Sequence, residues 1–371
     1  MSKFDKMKSQ IVDSFNQMFL NVIKFALNSK TSVDRIEKLK LKYKGLPKDA
    51  LAEILIKRAV RTNTIHGSAN GAFITGAEAV ATLPIPEPAS KAVAISGTAA
   101  AIVEDATFST KIQMQLILDL SELYDCVYEL DDEEDVWLIF KAAMGVKGND
   151  KAVKYVGYVF YETAKKQFRA LLRTGIRSAI QKFIIKVAGQ QVGKLLAEKY
   201  VLKLIPVATI VLSGVISSAT TKYVGKWAKT KVKIRSALVQ QIEKLKNEDV
   251  KYLKFVLFIL YFVGTCDDKL TDNILSVYSN ARKHLKLDDE ELDEIEKQID
   301  DDEFENKFFE ALKEVDNERV KKILLHISIT AAAVNFNPNE NYQKCLNTIS
   351  KVLGLEYRNE DLIDKINFFK K

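Results

Sequence analysis

The stretch Lys165-Lys-Gln-Phe-Arg-Ala-Leu-Leu-Arg-Thr-Gly-Ile-Arg-Ser-Ala-Ile180 decides how this chain is read. Lys165, Arg169, Arg173 and Arg177 recur every four residues, and Phe168, Leu172, Ile176 and Ile180 recur at the same spacing on a neighbouring face. Residues four apart stand one above the other on a helix, so the pattern predicts an amphipathic helix with a cationic stripe beside an apolar one. The same period runs through Met7, Ile11, Phe15, Met18, Phe19, Ile23 and Phe25, which predict an N-terminal amphipathic helix. No run of residues alternates cleanly with period two. The expected fold class is therefore all-α, without a sheet.

Outward from this stretch, composition divides the chain. Its 371 residues suggest two or three domains, and 47% apolar with 28% charged residues is enough to bury a core. Residues 1–100 carry a net charge of +7, residues 101–150 of −9, residues 151–250 of +15 and residues 251–371 of −6. Such segregation points to surfaces with different partners, or to two halves that dock on each other. Beyond Gly225 only Gly264 and Gly354 follow, and a boundary is expected near residue 248. The first part, 1–248, would then precede a smaller part, 249–371, of five or six helices. Asp288 and Asn337-Pro-Asn-Glu340 mark helix starts in that second part.

Within the first part, Pro47 is placed at a helix start. Ile65–Val103 is rich in small residues, with a turn at Pro84-Ile-Pro-Glu-Pro88, and reads as two closely packed helices. A long helix is expected over 104–128. The acidic cluster Asp131–Asp135 is expected to cap the helix of Trp137 and Phe140. Leu204–Thr221 is uncharged and about as long as a membrane span, which needs roughly 17–25 residues. Pro206 and five Ser or Thr residues toward its end favour a buried or interfacial helix instead.

The chemistry-bearing residues are sparse. Cys126, Cys266 and Cys345 form neither a CxxC nor an even set, which argues against a disulfide framework and for a reducing compartment. The N-terminus lacks the apolar core of a signal peptide, so a cytoplasmic location is expected. His66, His284 and His326 fall in no metal-binding pattern, and there is no dinucleotide, P-loop or nucleophile-elbow motif, so no cofactor is expected. His66 beside Gly67-Ser-Ala-Asn-Gly71 and Asp105 in Glu104-Asp105 are the catalytic candidates, weighed against a helix-end histidine and a helix-capping carboxylate. Gly67/Gly71 and Gly189/Gly193 have the spacing that lets helices approach closely. Lys226, Lys229, Lys231, Lys233 and Arg235 flank Trp227, a composition that suits a headgroup layer. Lys165, Arg169, Arg173, Arg177, Lys226, Trp227, Lys229 and Lys231 are thus the lipid-binding candidates. The competing reading is a solvated face, or one docked on the chain's own acidic segments. No nucleic-acid-binding module accompanies these charges, which points away from nucleic acid.

Two resemblances follow from motif order. Glu53–Val60, Gly67–Gly76 as a small-residue turn, Leu83-Pro84, Asp105, Gln113–Tyr124, Leu204-Ile-Pro-Val-Ala208 and Ile216–Gly225 with Ala228 together resemble the EcsC family over about residues 45–235. Ala208 stands where that family usually has glycine. The resemblance implies a helical fold associated with the cytoplasmic face of a membrane. Phe262–Asp272 with Leu285-Lys-Leu287, and Thr330–Glu340 with Leu353-Gly-Leu355, resemble a degenerate TerB-like helical domain of the tellurite-resistance type. That resemblance implies Asp267 and Asp272 as metal candidates, although Asp268 replaces the usual glycine.

The expected function is that of a non-enzymatic peripheral protein. It would bind anionic lipids of the inner face of the cell membrane and, through its C-terminal part, recruit or sense a protein partner in envelope stress or defence. Two alternatives stay open: a membrane-disrupting effector of a phage-defence or conflict system, and a lipid-directed enzyme using His66 and Asp105.

Overall fold

Period-four patterning produces helices wherever the chain is described. The computed structural model describes residues 31–82, 108–126, 128, 135, 139, 209–266 and 271–371. The N-terminal amphipathic helix, the Pro84–Pro88 turn, Asp105, the Lys165–Arg177 stripe and Asp267 lie outside the described residues. Among the described residues there is no strand, and the fold is all-α. Also among these residues, no helix is long and apolar enough to cross a membrane.

The chain divides into two compact units. The described part of the first comprises α1 (Thr31–Lys42), α2 (Lys48–Thr82), α3 (108–123) and the N-terminal portion of α4 (Thr209–Glu248) as far as Lys229. Its core is apolar: Leu51, Ala52, Leu55 and Ile56 of α2, Met114, Ile117, Leu120 and Leu123 of α3, and Val224 and Ala228 of α4 are all buried. The three helices approach closely at Gly225, where an added Cβ would lie 2.8 Å from Ile56 Cγ1 and 3.0 Å from Leu116 Cδ2. Gly45 provides the turn between α1 and α2 at φ +86°, a left-handed conformation that glycine takes without strain. Pro47 accepts from the Leu51 amide with its carbonyl and so sits one residue before the helix, not inside it.

Two expectations are corrected here. The small-residue segment Gly67–Gly76 is not a turn, because α2 runs through it unbroken for 35 residues. Glycine costs a helix only about 1 kcal/mol each, and the intervening alanines favour helix. The helix expected over 104–128 stops earlier. It gives way to a turn at Tyr124-Asp125, where Asp125 takes φ +54°; aspartate is one of the few residues that tolerate that conformation. In the acidic cluster Asp131–Asp135, Asp135 alone is described, and it is helical and buried.

The second unit takes residues 230–371 together with Tyr124–Cys126. It therefore begins within α4, before the compositional change near 248. After α4 a short 3-10 turn (Val250–Tyr252) leads, among the described residues, to seven helices where five or six were expected: α5 (Lys254–Thr265), α6 (Asp272–Leu285), α7 (Asp289–Ile299), α8 (Phe304–Lys313), α9 (Glu318–Ala333), α10 (Glu340–Leu353) and α11 (Asn359–Lys370). Helix α5, Lys-Phe-Val-Leu-Phe-Ile-Leu-Tyr-Phe-Val-Gly-Thr, is apolar on nearly every face, and α6, α7, α9 and α10 pack around it. Side-chain caps set the starts of its neighbours: Asp288 with Glu291 forms a capping box on α7, Asn317 caps α9 and Asn339 caps α10.

Candidate functional site

The segment Lys38-Leu-Lys-Leu-Lys-Tyr-Lys44 places a cation at every second residue, and the helix turns these side chains apart. Ile36 and Leu39 go into the core at 1% and 3% exposure, whereas Lys38, Leu41 and Lys42 remain outside, with Leu41 66% exposed. Three and four residues apart, they share one face of α1. Tyr43 follows, and it accepts a hydrogen bond on its hydroxyl from Arg58 Nη2 of α2 at 3.2 Å. The Arg58 guanidinium lies 5.6 Å from the Tyr43 ring centre and Lys42 Nζ 5.8 Å from it. This contact joins the exposed face of α1 to that of α2. Along α2 the surface continues through exposed Arg61 to Ile65, which is 63% exposed. The exposed side chains are thus Lys38, Leu41 and Lys42 on α1 and Arg58, Arg61 and Ile65 on α2, linked through the Tyr43–Arg58 contact.

Two acids of α2, Asp49 and Glu53, are engaged elsewhere. Lys229 of α4 is 5% exposed and donates from Nζ to Glu53 Oε1 at 2.9 Å, with Asp49 Oδ1 3.6 Å away. Lys229, expected at a lipid surface, therefore faces inward and ties α4 to α2. Lys231 is half-buried and bonds to the side-chain oxygen of Asn273. Trp227 is half-buried. Beyond them Lys233 lies buried beneath the Phe368 ring at 4.4 Å, and Arg235 is buried as well. Lys226 is exposed, and so are its helix neighbours Lys222 and Tyr223. The reason is geometric: a 40-residue helix carrying lysines on several faces cannot show all of them to one surface.

Behind the patch the first unit contains two polar networks. Buried Asn63 donates to Thr221 Oγ1 at 2.7 Å and accepts from Ser109 Oγ at 2.8 Å, while Gln113 donates to the same threonine at 3.1 Å. These bonds fix the register of α2, α3 and α4 on one another. Arg35 of α1 holds Asp119 of α3 through Nη2 at 2.8 Å and Nε at 3.1 Å, and Gln115 adds a donor at 3.0 Å. Burial raises the Asp119 carboxyl above its ordinary value, and the Arg35 hydrogen bonds and charge pull it only partly back.

A pH dependence follows. Because the folded chain holds the Asp119 proton more tightly than the unfolded chain, its contribution to stability is fully present below pH 3.8 and is lost as pH rises through the folded pKa. Wild type should gain stability relative to Asp119→Asn as pH falls from neutral toward that value. Urea unfolding of both proteins across this range checks it, and a pH-independent difference contradicts it.

Of the two catalytic candidates, His66 alone lies among the described residues. His66 lies within α2, not at a turn, and its ring packs on Phe108 with centres 3.6 Å apart. Asp105 lies outside the described residues. Asp272 opens α6 directly after its cap Thr271, and among the described residues no group of three or more His, Cys, Asp or Glu side chains is arranged to hold a metal ion. Contrary to the expectation that no run alternates with period two, Lys38–Lys44 alternates cation with apolar residue, yet it forms the end of a helix and the turn after it, and its lysines contribute to the basic surface of 38–61.

No protein-family model matches the chain, and no curated protein or solved structure matches it.

Proposed function

We propose that the first unit is a non-enzymatic, peripheral membrane-binding module that rests on anionic phospholipid headgroups. The observation that carries this reading is the patch Lys38–Lys42–Arg58–Arg61, from which Leu41 and Ile65 project into solvent. Cations near an anionic leaflet each contribute about 1 kcal/mol, and aliphatic side chains at the same level add burial in the acyl boundary. Neither term alone holds a protein of this size; together they give reversible binding. In this proposal the chain is an EcsC-like protein of the inner face of the cell membrane, and its TerB-like second unit recruits or senses a protein partner in envelope stress or defence.

The test is flotation of the full chain with vesicles. At low salt the protein should rise with vesicles containing phosphatidylglycerol, stay at the bottom with purely zwitterionic ones, and be released as ionic strength increases. Equal recovery with both vesicle types, or none with either, contradicts the proposal.

A further inference from the structure

The turn that closes α1 holds Tyr43 by both of its backbone groups. Its amide donates to the Leu39 carbonyl at 3.0 Å, and its carbonyl accepts from the Leu46 amide at 3.2 Å. The ring is half-buried, and two exposed cations flank it: Lys42 from the end of α1, with Nζ 5.8 Å from the ring centre, and Arg58 from α2, with its guanidinium 5.6 Å from it. Arg58 Nη2 donates to the Tyr43 hydroxyl at 3.2 Å. Among the described residues no carboxylate pairs with Lys42 or Arg58. Two unneutralised charges therefore converge on one aromatic side chain, and an anion that joins them relieves their repulsion. The guanidinium also says what kind of anion fits. It carries five N–H donors in a planar fork, and the bond to Tyr43 leaves enough of them for two oxygens of one ligand. Because the hydroxyl already orients the fork, less side-chain freedom is lost on binding.

We propose that Lys42, Tyr43 and Arg58 form a binding site for the phosphomonoester headgroup of a membrane lipid, phosphatidic acid in its simplest form. The site rests on the membrane-binding reading above and narrows it to one headgroup class. A phosphomonoester carries about −1.5 to −2 charge near neutral pH and offers three terminal oxygens. Arg58 takes two of these oxygens side by side. The third is left for the Lys42 ammonium, whose flexible four-carbon stem lets it reach the same phosphate. A phosphodiester headgroup has a single charge and two terminal oxygens, so Arg58 alone exhausts it. Leu41, next to Lys42 in the chain and 66% exposed, supplies an apolar contact for the acyl boundary of the same lipid.

Vesicle sedimentation of the full chain tests the site. Phosphatidic acid is compared with phosphatidylglycerol, the lipid fractions being adjusted so that both surfaces carry equal charge. Wild type should bind the phosphatidic acid surface about tenfold more tightly, the effect of one added hydrogen bond between charged groups. Arg58→Lys keeps the charge but loses the fork, and should bring that ratio below about threefold. Equal binding of wild type to the two surfaces overturns the site while leaving the membrane reading in place, and binding to neither overturns both. Glycerol 3-phosphate in vesicle-free solution separates a lipid from a soluble phosphate: no saturable binding is expected, and binding as tight as that to the vesicles overturns the assignment to a lipid. The wild-type ratio decides the headgroup class by itself should the lysine variant fail to fold.

Discussion

Replacing Lys38, Lys42, Arg58 and Arg61 together with alanine lowers partitioning onto phosphatidylglycerol-containing vesicles about 10³-fold at low ionic strength. Each cation contributes about 1 kcal/mol at an anionic surface, and about 1.4 kcal/mol corresponds to a factor of ten. The four side chains are exposed, so their removal leaves the core of the first unit intact. The engaged acids strengthen the argument. Glu53 and Asp49 are turned toward the Lys229 ammonium and do not neutralise the outward cations as a simple count of 38–61 would suggest. The control is removal of an equal number of exposed lysines from the second unit: Lys307, Lys313, Lys344 and Lys351. Vesicle titration followed by sedimentation should show that this control binds within about threefold of wild type, because the proposal assigns the headgroup contact to the first unit. Equal losses in both variants would mean that net charge, and not this patch, governs attachment.

Phe308→Ala should destabilise the second unit by about 3–5 kcal/mol and lower its melting temperature by about 10–20 °C. Phe308 is 2% exposed, stacked on Phe304 at 5.7 Å, and in contact with Phe262 at 5.6 Å and Phe309 at 5.2 Å. Phe258 meets its ring edge-on at 6.2 Å. Truncation removes the transfer energy of a whole ring and leaves a cavity that the neighbouring rings, fixed on α5 and α8, can fill only in part. Phe309, at the next position, is only half-buried, and its alanine variant should cost clearly less. Calorimetry of the two variants checks the ranking, and equal losses contradict the packing described here.

The helical class and many helix starts were legible because they depend on local chemistry. Asp288 and the segment Asn337-Pro-Asn-Glu340 announce the starts of α7 and α10 through hydrogen bonds to amides a few residues on. The continuity of α2 was not legible. Gly67-Ser-Ala-Asn-Gly71 has turn chemistry, and only packing over a whole helix decides whether glycine interrupts it. The fate of the lysines on α4 was not legible either. Lys226 and Lys229 differ by three positions, yet one meets solvent and the other meets Glu53, 176 residues away in the chain. A sequence shows that cations are many; it does not show which of them a distant carboxylate has already claimed.

The most direct measurement places an environment-sensitive fluorophore on single cysteines introduced as Leu41→Cys, Ile65→Cys and, in the second unit, Glu290→Cys, in a chain whose native cysteines are replaced by serine. With anionic vesicles, the labels at 41 and 65 should shift to the blue and lose access to an aqueous quencher, while the label at 290 stays unchanged. If the labels at 41 and 65 remain as open to the quencher as the one at 290 while the protein is bound, the patch on α1 and α2 is not what meets the bilayer.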